Sequence, residues 1–293
     1  MKKIFLILLF TTSIFAQSSK MLLLMDDVLT YSFALTGSST GGNIVMRGTG
    51  TIIVDWGDGS STNYTLTTTD QNIAHTYSGS GTYNVKIKNS DRITKIYMDT
   101  PVGATYTLNS KNLPNLTDLI LYSISGTQTI NSSDLTNLTY LLLGLISGTQ
   151  TINSSDLPNL TYLYLASISG TQTINSSDLP QLTFLRLASI SGTLSGNISS
   201  FRSTMTTLYT NKSGFDITTG IMPAWANNVI TIIPTTAGYT TAQIDGFLNA
   251  WASTAAAGTK TIDLRGSNQP RSTASDAAVA TLTGLGKTIL TNP

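Results

Sequence analysis

Catalysis needs an acid, a base or a nucleophile held in place, and this chain offers few groups of that kind. Histidine occurs once, at His75, and cysteine is absent. Thiolate nucleophiles, disulfides and cysteine-ligated zinc are therefore excluded. Every one of the 15 acidic residues is aspartate. Three of them, Asp134, Asp156 and Asp178, recur at a fixed 22-residue spacing. Glycoside hydrolysis needs two carboxylates in unlike surroundings, one held protonated and the other ionised. Identical places in successive repeats give identical surroundings, so the ladder lacks that asymmetry. It reads either as a run of turn caps or as a column of metal ligands, and the cap is the simpler expectation. Neither a phosphate-cradling glycine loop nor a G-x-S-x-G elbow is present. No catalytic residue, cofactor or metal is expected, and the chain does not read as an enzyme.

The aspartates belong to a repeat. Leu113-Pro-Asn-Leu-Thr-Asp-Leu-Ile-Leu-Tyr-Ser-Ile-Ser-Gly-Thr-Gln-Thr-Ile-Asn-Ser-Ser-Asp134 restarts at Leu135, Leu157 and Leu179. A period of this length marks a solenoid. The array extends further in both directions. Ile93, Ile96 and Met98 anticipate Leu116, Leu119 and Leu121, and Ala104–Ser110 anticipates Gly126–Ser132. Met205-Thr-Thr-Leu208-Tyr-Thr210 keeps the spacing, Met222-Pro-Ala-Trp225 echoes Leu-Pro-Asn-Leu, and a strand is expected at Val229–Ile233. The L-x-x-L-x-L pattern from residue 91 resembles the leucine-rich repeat. The position where that family carries Asn or Cys, to bond buried loop backbone, holds Ile124, Ile146, Ile168 and Ile190 here. Another group must satisfy the turn, Asn131, Asn153 and Asn175 or the Ser/Thr hydroxyls being the candidates. A different β-solenoid with two short strands per turn, the second at Thr-Gln-Thr-Ile, is the alternative.

Before the array, Val54-Asp-Trp-Gly-Asp-Gly-Ser60, His75-Thr-Tyr77 and Gly81-Thr-Tyr-Asn-Val85 follow one another among short β-rich runs. These motifs resemble a PKD domain over residues 30 to 90. The resemblance implies an immunoglobulin-like β-sandwich of the kind found in bacterial surface proteins, a spacer or binding module. Asp55 and Asp58 read as turn-amide acceptors rather than a calcium site, since calcium takes six or more oxygens. After the array, Thr240-Thr-Ala-Gln243 is a capping-box pattern, with Ile244, Phe247, Leu248 and Trp251 at helical spacing. A strand at Thr261–Arg265, a helix at Ser272–Leu285 and a strand at Lys287–Thr291 complete two units expected to extend the parallel sheet and cover its end. This part resembles terminal modules of bacterial surface and phage virion proteins.

Residues 1–16, MKKIFLILLFTTSIFA, have the layout of a secretory signal peptide. Their apolar run is shorter than the roughly 20 residues of a spanning helix, so no transmembrane span is expected. Net charge is +1 with 11% charged residues, which excludes a basic nucleic-acid surface. The expected organisation is a signal peptide (1–16), a PKD-like sandwich (17–90), a mainly β parallel solenoid (91–238) and a C-terminal α/β cap (239–293).

Alternation along the first strand of each repeat sends Leu116, Leu119 and Leu121 inward and Asp118, Ile120 and Tyr122 outward. The matching outward triplets are Tyr140, Leu142 and Gly144; Tyr162, Tyr164 and Ala166; and Phe184, Arg186 and Ala188. Across the three near-identical copies differences fall almost entirely on these places, the others being Thr136 for Pro and Leu145 for Ser. Free drift of a solvent face explains variation, but it favours small polar and charged residues. This face gathers Tyr97, Tyr122, Tyr140, Tyr162, Tyr164, Phe184, Arg186 and Tyr209, the composition of a binding surface. These eight are the candidate binding residues, for a glycan by ring stacking or for a protein. The expected function is secreted or cell-surface recognition and adhesion. The alternative is a virion or filament component whose face packs on neighbouring subunits.

Overall fold

A computed structural model of the protein describes residues 29–37, 44–99, 104–197, 205–210 and 238–293. The signal-peptide pattern, Met222–Trp225 and Val229–Ile233 lie outside the described residues. The fold is mainly β, with a β-solenoid of about five turns and few helices.

Six strands form the N-terminal sandwich: β1 (Thr30–Gly37), β2 (Ile44–Gly48), β3 (Gly50–Asp55), β4 (Ser61–Leu66), β5 (Gln71–Ile73) and β6 (Gly81–Lys88). The solenoid adds two strands per turn. Its first-face strands are β7 (Ile93–Asp99), β9 (Asp118–Tyr122), β11 (Tyr140–Gly144), β13 (Tyr162–Ala166), β15 (Phe184–Ala188) and β17 (Thr207–Thr210). Its second-face strands are β8 (Ala104–Asn109), β10 (Gln128–Asn131), β12 (Gln150–Asn153), β14 (Gly170–Asn175) and β16 (Thr193–Asn197). Both sheets run unbroken from sandwich into solenoid, in the orders β16-β14-β12-β10-β8-β1-β6-β3-β4 and β17-β15-β13-β11-β9-β7-β2-β5. Pairing is parallel along the array and turns antiparallel at β1–β8 and β2–β7. The sandwich thus occupies the first edge of both solenoid sheets, which would otherwise present unpaired backbone.

Each turn is built by the same local chemistry. Leu116, Leu119, Leu121, Ile124 and Ile130, and their copies, are buried between the sheets. After each first strand the chain steps through the left-handed region at Ser123, Leu145, Ser167 and Ser189 (φ 57°, 53°, 52° and 50°). A glycine follows three residues later. At Gly148 (φ 88°) a Cβ would sit 2.4 Å from the Gln128 carbonyl oxygen, so the preceding turn's backbone leaves room for nothing larger. The second strand then places Gln128, Gln150 and Gln172 inward, each fully buried.

Those glutamines answer the missing Asn/Cys position. Gln150 Nε2 donates to the Gln128 and Ser147 carbonyls (3.1 and 3.0 Å), while its Oε1 accepts from Ser169 N–H at 3.1 Å. Gln128 repeats this one turn earlier, donating to the Tyr106 and Ser125 carbonyls and accepting from Ser147 N–H. Asn131 and Asn153 are not the buried-loop donors; they cap the short 3-10 turns Ser132–Asp134 and Ser154–Asp156. A second ladder closes the other corner, where the Thr117, Thr139, Thr161, Thr183 and Thr206 hydroxyls each donate to a backbone carbonyl of the preceding turn (2.9–3.2 Å). Two strands and a 3-10 turn per repeat match the two-strand alternative.

The C-terminal unit holds helix α1 (Thr241–Ala252), opened by the expected capping box, then β18 (Lys260–Asp263), helix α2 (Asp276–Gly284) and β19 (Lys287–Leu290). Among the described residues β18 pairs in parallel with β19 alone and does not extend the solenoid sheet as expected. A parallel pair needs a crossover, which the α2 segment supplies, and Ile262 is buried with Phe247, Leu248, Trp251 and Leu282 of the two helices.

Candidate functional site

The in-register parallel pairing converts the outward residues of the β7–β17 sheet into columns. One column runs Lys95, Asp118, Tyr140, Tyr162, Phe184, Thr207. The next runs Tyr97, Ile120, Leu142, Tyr164, Arg186, Tyr209, and the third Asp99, Tyr122, Gly144, Ala166, Ala188. All eight candidate residues lie on this one face, but they divide into separate groups.

Tyr140, Tyr162 and Phe184 form a continuous stack. Ring centroids are 4.1 and 4.2 Å apart, with planes tilted by only 5° and 7°. Both faces of the Tyr162 ring are therefore covered by its neighbours, and only its edge and hydroxyl turn outward. Burial, reinforced by a hydrogen bond with Tyr140, pushes the Tyr162 phenol up to about 12, so it stays a neutral hydroxyl. In the second column the Arg186 guanidinium lies between two rings, 5.0 Å from the Tyr164 centroid and 4.8 Å from that of Tyr209. Its Nε is enclosed and has no hydrogen-bond partner. Tyr97 stands apart from this group, behind Ile120 and Leu142, and donates to the Asp99 carboxylate at 2.6 Å. Tyr122 is 40% exposed, and its Cδ2 and Cε2 fill the space over Gly144, where a Cβ would approach them to 2.7 and 2.8 Å. The glycine in that one copy gives the ring somewhere to lie.

Sequence reasoning missed the near end of the first column. Lys95 pairs with Asp70, which also binds Arg47. Arg47 lies opposite Lys95 in the antiparallel β2–β7 pair, so the charged cluster arises from the fused sandwich. Nothing within the 22-residue period signals it.

The other chemistry-bearing residues are committed to structure. Asp134, Asp156 and Asp178 accept from the hydroxyls of Ser110, Ser132 and Ser154 in the preceding turn (2.7, 2.6 and 2.7 Å). Those hydroxyls in turn accept from Asn131, Asn153 and Asn175 N–H at 2.9 Å. The aspartates are thus inter-turn ties rather than the turn caps expected. In the sandwich, Asp55 accepts from Gly57 N–H (3.0 Å), and Asp58 accepts from the Ser60 amide (2.9 Å) and hydroxyl (2.6 Å). Asp58 also meets His75 Nε2 at 2.8 Å. The Ser60 hydroxyl, with His75 and the Ser60 amide behind it, holds the Asp58 carboxyl well below the usual carboxylate range. His75 stacks on Trp56 at 4.8 Å and meets the edge of Tyr77, which makes it part of the sandwich's aromatic cluster.

Fold and face together define a β-solenoid begun by a β-sandwich that shares both of its sheets, with one outward face of aromatic and arginine columns. Comparison with protein-family models and with curated proteins finds no match. Among the described residues, no helix is long and apolar enough to cross a membrane.

Proposed function

We propose that the chain is a non-catalytic recognition and adhesion protein, acting outside the cell, and that the outward face of the β7–β17 sheet binds a protein partner. The observation that carries this is the division of labour within the repeat. Core leucines, glutamines, threonines and the Ser–Asp ties are each used within or between turns, whereas most residues that differ between the three near-identical copies lie on one face, and that face gathers tyrosine, phenylalanine and arginine. Interfaces favour these side chains, because they bury large areas at low conformational cost. A glycan is the weaker choice of ligand. Sugars stack on open ring faces, and the faces of Tyr162 are covered by its neighbours. The extracellular setting rests on the signal-peptide pattern of residues 1–16, and a neighbouring subunit of an assembly is one form the protein partner can take.

The test uses immobilised panels of cell-surface proteins and of polysaccharides. The triple variant Tyr122→Ser, Tyr140→Ser, Tyr164→Ser is expected to lose protein binding while its circular dichroism is retained. A control, Thr129→Lys with Thr151→Lys on the exposed face of the other sheet, keeps it. Undiminished binding by the triple variant refutes the assignment of the face, and binding confined to polysaccharides refutes the choice of partner.

A further inference from the structure

We infer that Arg186 is the anchor of this face, a preorganised seat for one carboxylate carried by an acidic stretch of the partner. The inference rests on the proposal that the face binds protein.

Three observations lead to it. First, Arg186 is an unpaired cation. Arg47, Lys95, Arg265 and Arg271 each pair with an aspartate, while Arg186 has no carboxylate within reach among the described residues and its Nε has no acceptor. Second, its side chain is already ordered. Rings 5.0 and 4.8 Å away on either side hold the guanidinium, so a ligand need not meet the usual entropic cost of fixing a long flexible arm. Among the described residues of its column, Arg186 alone has an aromatic ring on both sides, since the column runs Leu142, Tyr164, Arg186, Tyr209.

Third, the charge is isolated. Among the described residues of these columns the nearest aspartate, Asp118, is three strands away, about 14 Å at the usual strand spacing. That exceeds the Debye length of about 10 Å at 0.1 M salt, so it does not neutralise Arg186.

The stoichiometry selects the ligand class. One guanidinium fork balances one negative charge and takes a carboxylate through two parallel N–H···O bonds. A phosphate dianion would leave excess charge among the tyrosines, with no second cation among the described residues of the column to meet it. A uronate would supply the same carboxylate, but its sugar ring gains little from the covered faces of the adjacent stack. An Asp or Glu side chain, or a chain terminus, brings the carboxylate on a backbone that can bond the tyrosine hydroxyls beside it.

Selection of phage-displayed random dodecapeptides on the immobilised full chain tests this. Peptides carrying Asp or Glu are expected to be enriched. For the synthetic winners, Arg186→Gln should weaken binding at least tenfold, and Arg186→Lys, which keeps the charge but not the fork, should fall between. Winners without acidic residues, or acidic winners unaffected by Arg186→Gln, overturn the anchor. Thermal melting of both variants shows that the loss is local. Winners that depend on the Tyr122, Tyr140 and Tyr164 hydroxyphenyl groups but not on Arg186 overturn only this inference. Winners indifferent to all four residues, or no winners, overturn the protein-binding face as well. Polygalacturonate bound in an Arg186-dependent way, without acidic peptides, assigns the carboxylate to a glycan and overturns the peptide.

Discussion

Replacing Gln150 by leucine keeps the volume of a buried side chain but removes three hydrogen bonds at once. Ser169 N–H donates only to Gln150 Oε1 and would be left without an acceptor inside the solenoid. The Ser147 carbonyl would keep its bond from Gln128 N–H, while it and the Gln128 carbonyl would each lose the Nε2 donor. An orphaned buried donor costs about 1–3 kcal/mol, and weakening two carbonyls brings the total to roughly 3 kcal/mol. For a chain of this size that corresponds to a fall of about 6–12 °C in Tm. The same substitution one turn later has a different outcome. Gln172 Oε1 already lacks a partner, Ser191 N–H is taken by the Ile168 carbonyl at 2.9 Å, and the next turn carries Leu194 in register with Gln172. Gln172→Leu leaves no new orphan donor and should cost less than about 1 kcal/mol. Thermal unfolding followed by circular dichroism compares the pair, and amide exchange at Ser169 localises the effect. Equal shifts in the two variants, or unchanged protection of Ser169 in Gln150→Leu, would refute the view that the glutamine ladder serves the turn backbone.

Two further outcomes are expected. Leu145 is 50% exposed and sits at φ 53°, where the other copies have serine; because asparagine tolerates that region better, Leu145→Asn should raise stability by about 0.5–1 kcal/mol with an unchanged m-value, and a lower urea midpoint would show that the leucine contributes packing instead. Asp58 has its folded carboxyl depressed, so the stability it contributes is present above the unfolded value of about 4 and is lost as pH falls through the lower, folded value. The difference in urea midpoint between the protein and Asp58→Asn should therefore shrink as pH falls below about 4, and a difference that grows as pH falls from about 4 to about 2 would contradict that sign.

How much of this could be read from the chain depends on whether the determinant repeats. Leu116, Leu119 and Leu121 announce the core because the same choice is made in every turn, and alternation from them fixes which side Tyr140, Tyr164 and Arg186 occupy. The glutamine ladder obeys the same rule. Gln128 stands two residues before the buried Ile130, so strand alternation places it inward, and only its polarity argues for the surface. The fusion of the sandwich is different. Phe33 lies opposite Leu108 and Val45 opposite Tyr97, pairs more than 50 residues apart that no period encodes.

The partition of the aromatic face follows from the same parallel register. When identical positions stack at one strand spacing, two neighbouring rings in a column have little choice but to lie face to face, as Tyr140, Tyr162 and Phe184 do. A ring inside such a stack, as Tyr162 is, serves as an inter-turn tie and keeps only its edge and hydroxyl outward. On the proposed reading, the features that break the repetition offer a partner most: the ring of Tyr122 laid over Gly144, and the single guanidinium of Arg186 set between tyrosines. Irregularity within a column, rather than aromatic content, is therefore the feature by which the proposed face would recognise something other than the next turn.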